Sequence, residues 1–283
     1  PFEDAVVLTM DGVGEWATTY VALGKRNGLQ VIKELHFPHS LGLLYSAFTY
    51  FCGFRVNSGE YKLMGLAPYG VPKYRQLILD HLIDVKEDGS FRLNMKYFNY
   101  CTGLSMTSQH FNKLFGMQPR TIDEELTQEH MDIAASVQSV LEDVILKLTR
   151  SLAKETGVRN LCLAGGVALN CVANGKILLD GAFENIWVQP AAGDAGGALG
   201  AALAGYYIYG QQPRTAGEDQ MQGSYLGPAF SQAAIEAHLT NAGAYYRVIA
   251  DETLLIETAK AISGGQVIGW FQGRMELDRK SVV

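Results

Sequence analysis

The sequence is poor in the features that mark secreted, membrane-spanning and nucleic-acid-binding proteins. Its four cysteines include no CxxC pair and are too sparse for a disulfide framework, which indicates reduced thiols in a cytoplasmic protein. Lys and Arg are scattered in a chain of net charge −6, so there is no basic stripe to hold nucleic acid. The longest mainly apolar stretch, Leu41 to Phe54, falls short of the roughly 20 residues that a spanning helix needs. We therefore expect neither a nucleic-acid nor a membrane partner.

Catalytic signatures that are local in sequence are also missing. The dinucleotide fingerprint GxGxxG, the P-loop GxxxxGK[ST] and short Ser/His/Asp or Cys/His signatures do not occur. His36 and His39 flank a proline instead of sharing one helix face, which disfavours a zinc pair. Any chemistry must come from residues that the fold brings together.

The composition is that of a globular protein. The chain has 283 residues, 48% hydrophobic and 18% charged, which suits one large domain or two ordinary ones and excludes wholesale disorder. It starts at Pro1 without an initiator Met, just before a strand-like segment, and ends just after another such segment. From these two ends we expect a fragment of a longer protein.

Strand patterns that alternate with helix patterns predict an α/β domain over residues 1–209. A polar, Gln- and Gly-rich linker is predicted at 210–223, and the beginning of a second domain at 224–283. The predicted elements are a β-meander at 5–36, a helix at 40–54, a loop at 57–70, helical insertions and loops at 71–130, a helix at 132–155, a strand at 160–164, a helix from about 170, a strand at 185–189, helices at 194–203, 231–242 and 254–263, and a strand at 266–271.

The first of three glycine-rich turns is Asp11-Gly12-Val-Gly14-Glu15, after the first predicted strand. Glycines let a backbone approach a phosphate closely, and a carboxylate at the mouth of such a turn can hold a divalent cation. The alternative is a hairpin turn that the Asp11 side chain stabilises locally.

The second turn is Gly165-Gly166, which leads from the strand at 160–164 towards a helix that begins near Asn170. A helix N-terminus after glycines is a site for phosphate or nucleotide. Close packing of the strand against the helix explains the glycines equally well.

The third turn contains Asp194, at the start of a helix rich in Ala and Gly. This residue is either a helix N-cap or a metal ligand that faces the same cleft as Asp11. Elsewhere, Glu60 and Lys62 lie in a glycine-bounded segment, where they either contact a polar ligand or form a solvated pair.

Six segments in register resemble the carbamoyltransferase family that includes nodulation protein NodU and the antibiotic-tailoring O-carbamoyltransferases. They span nearly the whole chain. The segments are Met10-Asp-Gly-Val-Gly-Glu-Trp16, Pro38-His-Ser-Leu-Gly-Leu-Leu-Tyr45, Gly59-Glu-Tyr-Lys-Leu-Met-Gly-Leu-Ala-Pro-Tyr-Gly70, Leu163-Ala-Gly-Gly-Val-Ala-Leu-Asn-Cys171, Gly193-Asp-Ala-Gly-Gly-Ala198 and Gly269-Trp-Phe-Gln-Gly-Arg-Met-Glu276.

The resemblance implies a first domain of the actin/Hsp70/sugar-kinase (Kae1-like) type, truncated at its N-terminus. The start of a YrdC-like α+β domain is implied to follow it. It also implies ATP as cofactor, a divalent metal that is iron or alternatively magnesium, and carbamoyl phosphate as carbamoyl donor. In such enzymes the second domain makes carbamoyl-adenylate, and the first passes the carbamoyl group to a hydroxyl of a small molecule or sugar.

Site residues follow from the resemblance by position. Asp11 and Asp194 correspond to two metal ligands, and Arg274 to an arginine at the anion site of the second domain. The remaining positions would bind the nucleotide: Gly12 and Gly14 beside the phosphates, and Gly165, Gly166 and Asn170 at the adenosine and ribose. Independently of the resemblance, we count Glu60 and Lys62 among the candidate cofactor-binding residues.

The sequence departs from the family pattern at both ends. The HxxxH pair of metal ligands that precedes the Asp11 motif in the family has no counterpart here, and the Phe-Gly-Pro-Arg-Ala-Leu-Gly run that should follow Glu276 does not occur. We therefore expect the chain to be inactive alone, with a homodimer as an open possibility. Two other functions stay open: an ATP-dependent sugar or acetate-type kinase, and a non-catalytic nucleotide-binding module.

Overall fold

The computed structural model describes residues 1–214, 217 and 219–277. These residues form two compact units, Pro1–Glu218 (unit 1) and Asp219–Val283 (unit 2). The predicted limits at 209 and 224 stay predictions, since contact clustering does not identify domains by family.

Unit 1 contains a five-stranded mixed sheet and a small hairpin. The seven strands are β1 (Asp4–Met10), β2 (Ala17–Lys25), β3 (Gly28–His36), β4 (Ile83–Val85), β5 (Phe91–Leu93), β6 (Asn160–Ala164) and β7 (Asn185–Val188). The order of the large sheet is β3-β2-β1-β6-β7, with β1 to β3 antiparallel and β6 and β7 parallel to β1. The carboxyl ends of β1, β6 and β7 therefore meet at one edge of the sheet.

Nine α-helices are described in the two units. They are α1 (Leu41–Phe51), α2 (Glu60–Leu66), α3 (Arg75–His81), α4 (Gln109–Phe115), α5 (Gln128–Thr156), α6 (Cys171–Asp180), α7 (Ala195–Leu203), α8 (Gln232–Asn241) and α9 (Asp251–Ser263). The predicted α5 is confirmed, and Gly157 ends it in the left-handed conformation at φ 65°. Glycine is favoured there because a β-carbon penalises that conformation.

The core of unit 1 lies around α1, α5 and the sheet. α5 presents an apolar stripe that includes the fully buried Ile133, Val137 and Val144. Four phenylalanines from α1 and α4 form an aromatic cluster whose ring centroids are 4.8–5.7 Å apart: Phe48, Phe51, Phe111 and Phe115. Such tilted and edge-on ring pairs add to the hydrophobic stabilisation of the core.

Three local predictions are wrong. The expected loop at 57–70 contains α2, because Leu63 and Leu66 are buried on one side of a helical turn. The β4–β5 hairpin was not foreseen, since three-residue strands are too short for a periodic signal. The strand expected at 266–271 does not form. A strand needs a second strand to pair with, and the regular elements in the described part of unit 2 are all helices.

Unit 2 has α8 and α9 with no buried residue in either helix. The sequence-based classification as the start of an α+β domain therefore remains a prediction. Within the described ranges of both units, no helix combines the length and the apolar character that crossing a bilayer requires.

Candidate functional site

The three glycine-rich turns meet at the carboxyl edge of the large sheet. Asp11 follows β1, Gly165 follows β6, and the segment that leads to Asp194 follows β7. The Gly165 N–H donates to the carbonyl oxygen of Ala192 at 2.8 Å, and this bond joins the second turn to the third. In open α/β sheets, this edge is where ligands bind.

Asp11 joins the first turn to the second. Its Oδ1 accepts a hydrogen bond from the Gly166 N–H at 2.8 Å. Its backbone is fixed on both sides, since its N–H donates to the Thr18 carbonyl at 2.8 Å and its carbonyl accepts from Ser40 Oγ at 2.8 Å. The carboxylate is therefore held at the mouth of both glycine turns.

Two glycines are required by the backbone alone. A β-carbon on Gly14, at φ 58°, would lie 2.4 Å from the Ala17 carbonyl oxygen. One on Gly165, at φ 88°, would lie 2.3 Å from the Met10 carbonyl oxygen. For these two residues, turn geometry is a sufficient explanation.

Gly166 is different, because neither its backbone nor its surroundings demand a glycine. It is exposed, and a β-carbon there would meet only Asp11 Oδ1, at 3.8 Å. Gly12 has similar space, with Leu43 Cδ2 at 4.0 Å. These two positions keep the edge of the sheet open to an approaching ligand.

Asn170 is the N-cap of α6 and is buried. Its Oδ1 accepts from the Ala173 N–H at 3.0 Å and from Gln138 Nε2 at 3.1 Å, while its Nδ2 donates to Gln138 Oε1 at 2.9 Å. The ribose contact that the resemblance implied for this residue stays a prediction, and these internal partners give it a structural role.

Asp194 occupies the position before α7, on the exposed surface. Its backbone is helical, at φ −57° and ψ −27°, and its side chain makes no capping hydrogen bond to the helix. The N-cap interpretation is therefore not supported by the geometry, and the function as a metal ligand stays a prediction.

Glu60 and Lys62 have separate surroundings at the start of α2. Glu60 Oε1 accepts from Ser46 Oγ at 2.8 Å and from the Asn57 N–H at 2.9 Å. Lys62 is exposed, with its Nζ 5.9 Å from the centre of the Tyr61 ring. Glu60 is thus bound by α1 and by the loop before α2, and the two residues do not form an ion pair with each other.

Arg274 belongs to unit 2 and is exposed. Its Nη1 donates to the Gly227 carbonyl at 2.7 Å, beside the backbone bond from Gly227 N–H to the Met275 carbonyl. Its predicted contact with carbamoyl phosphate stays a prediction.

No group of three His, Cys, Asp or Glu side chains that would hold a metal ion exists within residues 1–214, 217 and 219–277. His36 and His39 have different partners, since His36 Nε2 lies 2.9 Å from Glu34 Oε2 and His39 Nδ1 accepts from the Leu93 N–H at 3.1 Å. The metal ligands predicted in this chain are the carboxylates of Asp11 and Asp194, and the identity of the metal, iron or alternatively magnesium, stays a prediction. Proteins commonly bind Mg²⁺ through one or two carboxylates together with substrate phosphates.

A buried polar network below the Gly165–Gly166 turn was not predicted from the sequence. Tyr45 Oη donates to Gln138 Oε1 at 2.8 Å, Gln138 Nε2 donates to Glu142 Oε1 at 2.9 Å, and Lys176 forms an ion pair with Glu142. Burial, followed by the Glu142 charge, raises the pKa of Tyr45, so its hydroxyl stays protonated as a donor. Gln138 and Glu142, one turn apart beside the apolar stripe of α5, were the available signal.

A cavity of about 550 Å³ lies elsewhere in unit 1, between α3, the β4–β5 hairpin and α5. Its charged lining includes Arg92, Lys147 and Asp84. None of the predicted site residues lines it.

The fold and the site define a class: an α/β protein whose mixed sheet carries three linked glycine turns at one edge. A family profile described as Carbamoyltransferase N-terminus matches residues 1–203. The chain belongs to this carbamoyltransferase family.

Relatives over the whole chain agree with this assignment. The chain is 59% identical to the uncharacterized protein sll1178 of Synechocystis sp., across 100% of this chain and 46% of that protein. It is 36% identical to nodulation protein NolNO of Sinorhizobium fredii (99% of this chain, 39% of that protein) and 34% identical to nodulation protein NolO of Bradyrhizobium diazoefficiens (99% and 49%). The chain thus spans about half the length, or less, of these curated relatives.

Proposed function

We propose that this chain carries the nucleotide-binding part of an ATP-dependent carbamoyltransferase. In the full reaction, water releases phosphate from carbamoyl phosphate, and the carbamate so formed displaces pyrophosphate from ATP to give carbamoyl-adenylate. A hydroxyl of a small molecule or sugar then attacks the carbamoyl carbon, AMP leaves, and the hydroxyl proton passes to a base or to water. The observation that supports this function best is the hydrogen-bonded junction of the Asp11, Gly165–Gly166 and Ala192 segments at the carboxyl edge of the sheet.

The same edge supports the proposed fold relationship. An antiparallel meander extended by two parallel strands, with a glycine turn after β1 and another after β6, suits an actin/Hsp70/sugar-kinase-like domain. Glycines at such turns let a phosphate approach the backbone closely, because no side chain obstructs it. We assign the adenylate to this edge of the sheet.

Asp11 and Asp194 would hold Mg²⁺ together with the nucleotide phosphates. A bound cation supplies charge neutralisation for the phosphates and polarises the group to be transferred. What this chain itself contributes is the orientation of the Asp11 carboxylate, which the Gly166, Thr18 and Ser40 bonds maintain.

The test is MgATP affinity measured by calorimetry on this chain and on Gly166→Val. The β-carbon of the valine has room, since only Asp11 Oδ1 lies within 4 Å of it, and the two methyl groups are expected to occupy the exposed space in front of the two turns. We expect affinity to fall at least ~10-fold, the usual cost of disturbing a polar site. The matched control is Gly28→Val at the opposite edge of the sheet, where the β-carbon makes an ordinary contact of 3.7 Å and affinity should not change. Equal affinity for MgATP in the chain and in Gly166→Val would contradict the proposed site.

Products distinguish the proposed chemistry from kinase chemistry. The longer relatives supplied with ATP, carbamoyl phosphate and a hydroxyl acceptor should release AMP and pyrophosphate, whereas a kinase releases ADP. We propose that this chain alone is inactive, so measurable carbamoyl transfer by it would contradict that part of the proposal.

A further inference from the structure

The side chains of Gln138 and Asn170 form a reciprocal pair of amide hydrogen bonds. Gln138 Nε2 donates to Asn170 Oδ1 at 3.1 Å, and Asn170 Nδ2 donates back to Gln138 Oε1 at 2.9 Å. Both residues are buried, at 5% and 8% exposure. The pair joins the middle of α5 to the end of the Gly166–Leu169 helical turn, 32 residues further along the chain.

Every hydrogen-bonding group of the Gln138 amide is occupied. Oε1 accepts from Tyr45 as well as from Asn170, and Nε2 donates to Glu142 as well as to Asn170. A flipped amide would set donors against donors, so the surrounding groups fix the orientation of Gln138. Gln138 in turn fixes Asn170, whose Oδ1 also caps α6 through the Ala173 N–H.

The same network reaches the first glycine turn through α1. Tyr45 binds Gln138 from the second turn of α1, and Ser40, the N-cap of that helix, donates to the Asp11 carbonyl. Gly42 permits the contact, because a β-carbon there would lie 2.5 Å from the Asp11 carbonyl oxygen. α1 therefore connects the Asp11 turn with the amide pair. The Asp11–Gly166 hydrogen bond connects the same Asp11 turn directly with the Gly165–Gly166 turn.

We infer that Gln138 is a positioning residue for the nucleotide site, acting through the amide pair that sets the place of the Gly165–Leu169 turn. Asn170 belongs to the same pair and acts through the turn rather than by touching the nucleotide. The inference extends the proposed function, since the turn matters for affinity only if it binds the nucleotide. Whether the turn keeps its position can be measured separately from nucleotide affinity.

That measurement is hydrogen exchange, followed by mass spectrometry, of the unliganded chain. Gln138→Leu removes both hydrogen bonds of the pair, together with those to Tyr45 and Glu142, and replaces the amide by an apolar side chain of similar size. We expect faster exchange in peptides that cover 163–171 and 10–18, and unchanged exchange in β3 and the β4–β5 hairpin. The control is Ser136→Ala, which removes a buried α5 hydroxyl that accepts from the Tyr74 N–H at 2.9 Å, outside the network. Faster exchange spread over the whole of unit 1, or none in 163–171, would overturn the inference.

Affinity supplies the second readout. MgATP should bind Gln138→Leu at least ~10-fold more weakly and Ser136→Ala within about twofold of the parent chain, each measured below its melting temperature. Asn170→Ser is the second variant, because serine retains a cap for α6 but is too short for the pair, and it decides the question if Gln138→Leu does not fold. If the parent chain does not bind MgATP, the proposed function fails while the exchange data still judge the positioning role. Parental affinity in Gln138→Leu or Asn170→Ser, despite faster local exchange, would show that the turn is not where the nucleotide binds.

Discussion

Units 1 and 2 both contain helices, yet among the described residues only unit 1 shows an extensive core. In unit 1 the aromatic cluster, the apolar stripe of α5 and the sheet contribute to one cluster of buried side chains. In the described part of unit 2, Met221 is the one buried apolar residue, and side chains such as Leu255 and Ile262 stay 59–60% exposed. Helical periodicity creates an apolar face, but a second layer has to cover it before that face stabilises the fold.

Truncation of a core side chain should produce the largest difference in stability between the two units. Phe48→Ala removes a fully buried ring and should lower the free energy of unfolding of unit 1 by about 3–5 kcal/mol. Leu255→Ala in unit 2 should change stability by less than about 0.5 kcal/mol, because the side chain is 60% exposed. Urea denaturation followed by tryptophan fluorescence, in a Trp270→Phe background so that the remaining tryptophans lie in unit 1, measures the first value. Circular dichroism at the helix band measures the second. Similar losses of unfolding free energy in both variants would contradict this difference between the units.

Glycine substitutions test the same distinction through the backbone. Gly165→Ala combines a conformation open essentially to glycine, φ 88° and ψ 162°, with a contact of 2.3 Å to Met10. We expect a cost of about 3 kcal/mol, the sum of backbone strain and overpacking. Gly243→Ala in unit 2, at φ 66° with nothing within 4 Å, should cost about 1–2 kcal/mol from the backbone alone. Thermal melts of both variants provide the comparison, and equal costs would argue against tight packing at the turn.

The smallest of the three expected effects is a loss of folding stability in mild acid, which depends on His130. Burial, followed by the Arg120 charge, lowers the pKa of His130 below 6.5, although Glu129 and Glu124 oppose the shift. Its Nδ1 accepts from the Thr127 N–H at 3.1 Å, which requires the unprotonated nitrogen. Since the folded state binds this proton more weakly than the unfolded state, the contribution to stability is complete above pH 6.5 and is lost as pH falls through the folded pKa.

The slope that this residue adds is at most about 1.4 kcal/mol per pH unit. Denaturation between pH 7.5 and 5 should therefore show a steeper loss for the parent chain than for His130→Gln. His238→Gln, at an exposed position of unit 2, is the control and should follow the parent. Identical profiles for His130→Gln and the parent would refute the assignment.

The sequence predicts what local periodicity determines and misses what long-range pairing determines. The meander, α5 with its Gly157 end, and the strand at Asn160–Ala164 come from patterns within single elements and the turns next to them. The amide pair of Gln138 and Asn170 joins positions 32 residues apart and leaves no local signature. The glycine turns were predictable as candidates, but their alignment depends on β6 pairing in parallel with β1, and only the fold shows it.

We propose that the three linked turns form one nucleotide site. Hydrogen exchange of this chain with and without saturating MgATP tests this directly. We expect slower exchange at 10–18, 163–171 and 189–196, with no change at the opposite edge of the sheet, 24–30, or along the cavity wall at 79–94. Protection confined to the cavity wall or to unit 2, or no protection at any of the three turns under saturation, would contradict it.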